Sequence, residues 1–149
     1  NQVVVDVIPC ARPVRYVLDA GVRFPLYVGA AGKAQLAQLP ADEVDAYLAN
    51  LSPKLFTRFA VDLGALRQEL VATRTRGYAL SIGERVEGAA AVAVPVFTHE
   101  GEVAGVLGVM MPIFRTSQGQ LAAIGEDLVA RTRGVLSGGH SSSITGRTA

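Results

Sequence analysis

Cysteine, histidine and tryptophan are scarce in this sequence, and their scarcity removes several classes of site. The 149 residues include one cysteine, two histidines and no tryptophan. With Cys10 alone, an internal disulfide and a multi-cysteine metal site are excluded. No histidine lies near Cys10 in the sequence, so we expect a buried or half-buried, inert thiol. We also expect no bound metal and no cofactor.

The chain also lacks an excess of charge and any long apolar run. Lysine and arginine number 14 against 13 aspartate and glutamate residues, which is not the basic excess that binding to a phosphate backbone requires. No stretch is long enough to span a membrane, and the N-terminus has no signal-peptide pattern. We therefore expect a soluble, cytoplasmic domain with no membrane partner, long enough to bury its own core.

Proline, glycine and capping residues divide the chain into predicted helices and strands. The predicted helices run from the glycines at 29–32 to Pro40, from Asp42 to the residue before Pro53, from an Asp62 N-cap to a Gly77 C-cap, and from Leu121 to Val135. The predicted strands are 3–8, 14–18, 78–82, 88–97 and 102–111, and the turn 98–101 joins the last two as a hairpin. This order predicts an α+β domain with a mainly antiparallel sheet. The long connection between the second and third strands is expected to cover one face and enclose a pocket.

The segment PLYVGAAGKAQLAQLP, residues 25–40, contains a Gly-Lys pair that suggests a phosphate-binding loop. Tyr27 stands where a P-loop needs its first glycine, and Ala34 stands where it needs a hydroxyl for magnesium. The P-loop is therefore excluded. Two interpretations remain: the helix N-terminus at 29–32 holds a small anion such as a carboxylate, or its small residues only allow close packing against a sheet.

No set of residues satisfies both the chemistry and the context of a catalytic site. Ser81 is one residue away from the pattern of a nucleophile elbow, but a strand rather than a helix follows it. His99 falls in the predicted hairpin turn and His140 in the tail, so neither is an oriented imidazole. Glu84 follows Gly83 at a junction that faces the predicted pocket; it either caps turn amides or contacts a ligand. A small hydrolase or isomerase using Ser81 and Glu84 is the alternative to a non-enzymatic domain.

Four segments, taken together, resemble one family. The first is 21–34, GVRFPLYVGAAGKA, and the second is 66–78, which begins with LRQEL and ends with RGY. The third is 83–88, which begins with GE and ends with G, and the fourth is 92–112, which begins with VAVPVF and ends with VAGVLGVMMP. In this order and spacing they resemble the C-terminal effector-binding domain of IclR-type bacterial transcription regulators. The resemblance covers the chain up to its tail.

The resemblance implies a GAF-like or profilin-like fold, in which helices flank a curved, mainly antiparallel sheet. It implies an effector-binding domain at 4–137, a flexible tail at 138–149, and an N-terminal helix-turn-helix that is absent from this chain. Relatives form homodimers or homotetramers, partly through this domain, and bind DNA only through the missing part. A purely structural oligomerisation module is a further alternative.

The resemblance also assigns an effector site. In relatives, backbone amides of one corner hold the carboxylate of the effector, and these amides correspond to Ala30 and Ala31 here, in the corner that includes Gly32. The other effector-binding positions that the resemblance implies are Ser81, Ala91, Gly108 and Met110. Phe24 and Glu84 complete the set that we expect to bind the effector. Gly108 and Met110 replace residues that are often serines in relatives, so they offer fewer hydrogen bonds and more apolar room. We therefore predict an aromatic or medium-length carboxylic acid, unless these two residues only pack the core.

Overall fold

A computed structural model describes residues 1–12, 15–16, 18–58 and 61–133 of the chain. The strands are β1 (Gln2–Val3), β2 (Arg23–Phe24), β3 (Ala79–Ile82), β4 (Ala89–Phe97) and β5 (Val103–Pro112). The helices are α1 (Gly29–Leu36), α2 (Ala41–Ala49), α3 (Leu63–Arg76) and α4 (Gln118–Thr132), with a short 3₁₀ turn at Ile113–Arg115. The predicted α+β class is confirmed. The tail predicted at 138–149 and the last residue of the predicted closing helix, Val135, lie outside the described residues.

The main sheet has the order β3-β4-β5, with both strand pairs antiparallel. In its register Ser81 is opposite Ala91, which is opposite Met110 on the next strand. Residues that are directly opposite each other project from the same face of a sheet. These three side chains therefore form one row across the sheet, and Gly108, opposite Ala93, lies on the same face.

Helices cover both faces of this sheet. On one face, Val92 and Val94 of β4 pack with Leu121 and Leu128 of α4. On the other face, alanines of α1 meet alanines of the strands: Ala30 and Ala34 against Ala79 and Ala93. Because these side chains are so small, α1 lies close to the sheet. The interpretation that small residues at 29–32 allow close packing against a sheet thus holds for Ala30, and Ala34 extends the same contact.

Helix α1 is also fixed on its other side and at its C-terminal end. Leu36 packs into a core shared with Leu48 of α2 and Leu70 of α3. The Nε of Arg74 donates a hydrogen bond of 2.7 Å to the carbonyl of Ala37, which follows the helix. A cation at this end is favourable because the last carbonyls of a helix carry partial negative charge.

The ends of α3 were predicted correctly. The Asp62 carboxylate accepts hydrogen bonds from the amides of Gly64 and Ala65, at 2.8 and 3.0 Å. Gly77 ends the helix with a φ of 86°, in the left-handed region that glycine adopts without strain. The predicted hairpin is also present, with the Thr98 amide donating to the Glu102 carbonyl at 2.8 Å.

The prediction of strands at 3–8 and 14–18 was wrong for the residues that the structure describes. Only Gln2–Val3 forms a strand, paired with Arg23–Phe24, which the sequence did not indicate. A β-branched run forms a strand only where a partner strand is available. Beyond Val4 there is none in the described residues, and Val5 and Ile8 are 83% and 92% exposed. Cys10 lies in the same segment and is exposed, so the expectation of a buried thiol was also wrong.

Candidate functional site

A mostly apolar cavity lies between the first turn of α1, the sheet face that carries Ser81 and Ala91, and the small β1–β2 sheet. Its volume is about 110 Å³. Eight of the nine residues expected to bind the effector line it, namely Phe24, Ala30, Ala31, Ser81, Glu84, Ala91, Gly108 and Met110. They come from all three strands of the main sheet, from α1, from β2 and from the segment after β3, so only folding brings them together.

Gly32 is the one expected residue that does not line this cavity. A Cβ at this position would lie 2.5 Å from the carbonyl oxygen of Leu26. Gly32 therefore faces the backbone of the preceding segment, not the cavity. Its role here is to let α1 approach residue 26 closely, a role that only glycine fills without displacing backbone atoms.

The N-terminus of α1 is capped by a residue that is distant in the sequence. Val28, the N-cap, provides no side-chain hydrogen bond. Instead the Gly29 amide donates to Oε2 of Glu84 at 3.0 Å, and the Lys33 ammonium donates to Oε1 of the same carboxylate at 2.5 Å. Lys33 is buried at 5% exposure, so this ion pair satisfies a charge that would otherwise be buried alone. Glu84 therefore caps one amide, that of Gly29 at the helix N-terminus, which is close to the capping role considered for it.

The next two amides of α1 differ from that of Gly29. In the described part of the chain, no acceptor is recorded for the amides of Ala30 and Ala31. The first amides of a helix have no partner within the helix and carry partial positive charge. Both residues line the cavity. The first turn of α1 thus provides donors beside the cavity after Glu84 has occupied the first of them.

Arg85 also lines the cavity, and the sequence analysis missed it. Its Cζ lies 4.1 Å from the centroid of the Phe24 ring, and its Nη2 lies 3.5 Å from the Met110 sulfur. Burial lowers the pKa of this guanidinium from its ordinary value, because a charged group loses hydration there. In the sequence, the run Glu84-Arg85-Val86-Glu87 is typical of a solvent-exposed turn, so Arg85 does not stand out as a binding residue. Its place in the cavity wall depends on the contact with Phe24, which only the folded structure shows.

The charges around the cavity do not cancel. Glu84 is neutralised by Lys33, whereas among the described residues no carboxylate forms an ion pair with Arg85. The helix N-terminus adds further partial positive charge. A small site with net positive charge and few polar groups favours an anion that carries an apolar body.

A second, larger cavity, of about 460 Å³, lies between α3 and the outer side of β3. Its wall contains Lys33, Asp62 and Glu69. All three charges already have partners: Lys33 with Glu84, Asp62 with the first amides of α3, and Glu69 with Arg76. The smaller cavity is the better candidate, because its cation has no anionic partner in the described structure.

The geometry does not assemble the catalytic pair of the alternative prediction. Ser81 is buried at 6% exposure, and in the described residues no hydrogen bond joins it to Glu84. A nucleophile and its base need to be within hydrogen-bond reach. His99 is an exposed turn residue whose ring lies 3.7 Å from the Glu100 carboxylate. No group of three or more metal-binding side chains is found in the described ranges.

The chain matches the family described as "Bacterial transcriptional regulator IclR C-terminal" over residues 1–135, and it belongs to that family. It is 32% identical over 121 residues to the HTH-type transcriptional regulator BhcR of Paracoccus denitrificans, covering 80% of this chain and 43% of BhcR. It is 32% identical over 129 residues to the probable transcriptional regulator SauR of Cupriavidus necator, covering 86% of this chain and 51% of SauR. The chain thus spans about half the length of these curated relatives. They are named as regulators, in agreement with the prediction of a non-enzymatic domain.

Solved structures show the same fold. The inducer-binding domain of a double mutant of the PobR transcription factor from Acinetobacter, in complex with 3-hydroxybenzoic acid, aligns with a TM-score of 0.67. The two chains are 26% identical, and the alignment covers 76% of this chain and 67% of the PobR chain. In the residues that the structure describes, no helix combines the length and apolar character needed to cross a bilayer.

Proposed function

We propose that this domain binds a small carboxylic acid in the cavity beneath the first turn of α1. The observation that carries the proposal is the pairing of an apolar cavity with the amides of Ala30 and Ala31, for which the described residues provide no acceptor. Backbone donors at a helix N-terminus suit a carboxylate. The apolar face of Ala91, Gly108 and Met110 suits the rest of the molecule.

The effector that we propose is an aromatic or medium-length acid. A cavity of about 110 Å³ is comparable to the roughly 150 Å³ engineered cavity that accepts benzene. Gly108 and Met110 provide no hydroxyl that would hold the second oxygen of a short keto acid. The 3-hydroxybenzoic acid bound to the similar PobR domain supports an aromatic acid.

The bound acid acts by shifting the balance between two arrangements of a homodimer or homotetramer. A helix-turn-helix elsewhere in the full-length protein then reports the change to DNA. The outer edge of β5 supports assembly, because it pairs with no other strand of the described residues and exposes Leu107 and Val109 at 46% and 38%. Light scattering of the purified domain tests assembly: a monomer at all concentrations would overturn it.

A thermal-shift screen tests the binding proposal. The domain is mixed with benzoate, 3-hydroxybenzoate, hexanoate, pyruvate and glyoxylate, each over a range of concentrations. An acid present at a hundred times its dissociation constant stabilises the fold by about 2.7 kcal/mol. We expect this stabilisation with benzoate, 3-hydroxybenzoate or hexanoate at concentrations where pyruvate and glyoxylate have no effect. Tighter binding of pyruvate or glyoxylate would overturn the proposed ligand class.

The variant Ala31→Asp tests whether the acid that stabilises the domain binds in this cavity. Aspartate is favourable in the first turn of a helix, so the variant should fold. Its carboxylate enters the wall of the cavity and repels an acid there. Loss of the acid-induced shift in this variant supports the proposed site. An equal shift in both proteins, or no shift of the unmodified domain with any acid, would overturn it.

A further inference from the structure

We propose that Arg85 selects the carboxylate of the effector, and that its guanidinium and the first turn of α1 hold the acid between them. This inference rests on the proposed function and assigns the charge that recognises the ligand. None of the sequence-based site residues carries a positive charge. Arg85 alone among the residues lining the cavity in the described structure does so.

The position of Arg85 relative to α1 supports this role. Its Nε lies 4.0 Å from the point that a Cβ on Gly29 would occupy, so the guanidinium stands beside the first residue of the helix. Ala30 and Ala31 follow in the same turn and line the same cavity. A carboxylate has two oxygens, and one can accept from Arg85 while the other accepts from these amides.

The contacts of the guanidinium leave most of its donors available. Its Cζ lies over the Phe24 ring, 4.1 Å from the ring centroid. The attraction between a cation and an aromatic ring acts on the charge and does not require a hydrogen-bond acceptor. The Met110 sulfur, 3.5 Å from Nη2, is a weak acceptor and satisfies at most one of the five donors. A carboxylate is the stronger partner for the rest.

The electrostatic setting of Arg85 also supports this role, because no carboxylate of the described residues forms an ion pair with it. Arg85 is half-buried and close to the positive end of α1, and two positive groups in such an arrangement repel each other. Its neighbour Glu84 is held by Lys33 and Gly29. Arg67, Arg76 and Arg131, by contrast, each form an ion pair with an acidic side chain. The carboxylate of an effector supplies the missing counter-charge at Arg85.

The test compares benzoate with benzamide, its neutral counterpart of nearly the same shape, by isothermal titration calorimetry. The proteins are the unmodified domain, Arg85→Gln, Arg85→Lys and Arg23→Gln. Arg23 is an exposed residue of β2 that does not line the cavity, so its variant removes the same charge from a neighbouring position. The melting temperature without ligand shows that each variant is folded.

We expect the unmodified domain to bind benzoate about 10- to 100-fold more tightly than benzamide, the range for a charge-assisted hydrogen-bonded pair. Arg85→Gln weakens benzoate binding far more than benzamide binding and so removes this preference. Arg85→Lys keeps part of the preference for benzoate, because an ammonium retains the charge but lacks the planar arrangement of N–H donors of a guanidinium. Arg23→Gln keeps all of it.

Three results overturn the assignment to Arg85. The first is equal binding of benzoate and benzamide by the unmodified domain. The second is an unchanged benzoate preference in Arg85→Gln. The third is an equal loss of both ligands in that variant, which indicates a packing role. All three results leave a ligand cavity in place. An unmodified domain that binds neither compound, and that shows no shift with any acid of the thermal-shift screen, overturns the proposed function as well.

Discussion

Glu84 joins the N-terminus of α1 to the segment after β3 through a partly buried ion pair with Lys33, at 2.5 Å between Oε1 and Nζ. The same carboxylate accepts from the Gly29 amide. Lys33 and Glu84 are 51 positions apart in the sequence, so their ion pair is a tertiary contact that fixes the helix beside the cavity. The ammonium has side-chain exposure of 6%, and the carboxylate 31%.

The variant Glu84→Gln tests how much the ion pair between Glu84 and Lys33 stabilises the folded domain. It keeps an acceptor for Gly29 but leaves the Lys33 charge buried without a partner. We expect the free energy of unfolding in urea to fall by about 2 kcal/mol, less than for a fully buried pair because Glu84 is partly solvated. The matched variants are Lys33→Met and the double variant. A double-mutant cycle with no coupling between the two residues would show that the ion pair does not stabilise the domain.

Gly32→Ala should destabilise the domain although alanine is the better helix former. The added Cβ would lie 2.5 Å from the Leu26 carbonyl oxygen, and overpacking of this kind costs about 1–3 kcal/mol. The matched control is Gly119→Ala in α4, where no atom lies within 4 Å of the new Cβ. There we expect a gain of up to about 1 kcal/mol. Thermal or urea unfolding of both variants makes the comparison, and a gain in both would refute the close approach at Gly32.

Thr73→Val is expected to stabilise the domain. The Thr73 hydroxyl is fully buried in α3 and has no hydrogen-bond partner among the described residues. Valine has nearly the same shape, so the change removes a buried polar atom and is worth about 1 kcal/mol. The control is Thr75→Val, because the exposed Thr75 hydroxyl donates to the Val71 carbonyl at 3.1 Å. A loss of stability in Thr73→Val, measured by urea unfolding, would mean that the hydroxyl has a partner.

Ala91→Leu should separate ligand binding from folding. Ala91 lies in the middle of the row between Ser81 and Met110, on the cavity wall. A leucine side chain fills much of a space of about 110 Å³, so we expect benzoate-induced stabilisation to disappear while the free domain remains folded. Ala104→Leu, at an exposed position of β5, is the control. Calorimetry with benzoate makes the measurement, and undiminished binding in Ala91→Leu places the ligand elsewhere.

Local sequence signals predicted the parts of the fold that local interactions determine. Asp62 and Gly77 set the ends of α3 because capping depends on residues a few positions apart. Strands β3, β4 and β5 follow from period-two patterns and a tight turn. The pair β1 and β2 could not be predicted in this way, because two residues at each strand carry no periodicity and the pairing spans 22 positions between Gln2 and Phe24.

The candidate site likewise has one part that the sequence predicts and one part that only the structure reveals. The small residues at 30, 31 and 108 belong to segments whose order and spacing resemble the family, and residue 91 directly precedes one of these segments. The structure brings all four to one cavity. Arg85 and the Lys33–Glu84 pair depend on contacts between distant segments. A charged run after a turn normally lies in solvent, so no local pattern distinguishes Arg85 from Glu87.

The decisive measurement is amide chemical-shift mapping of the ¹⁵N-labelled domain during a titration with 3-hydroxybenzoate. We predict the largest shifts at Ala30 and Ala31, followed by Ser81, Ala91 and Gly108, with little change at Ala65 and Leu66 of the larger cavity. Shifts centred on Ala65 and Leu66, or none at α1, would mean that the acid does not bind beneath the first turn of that helix.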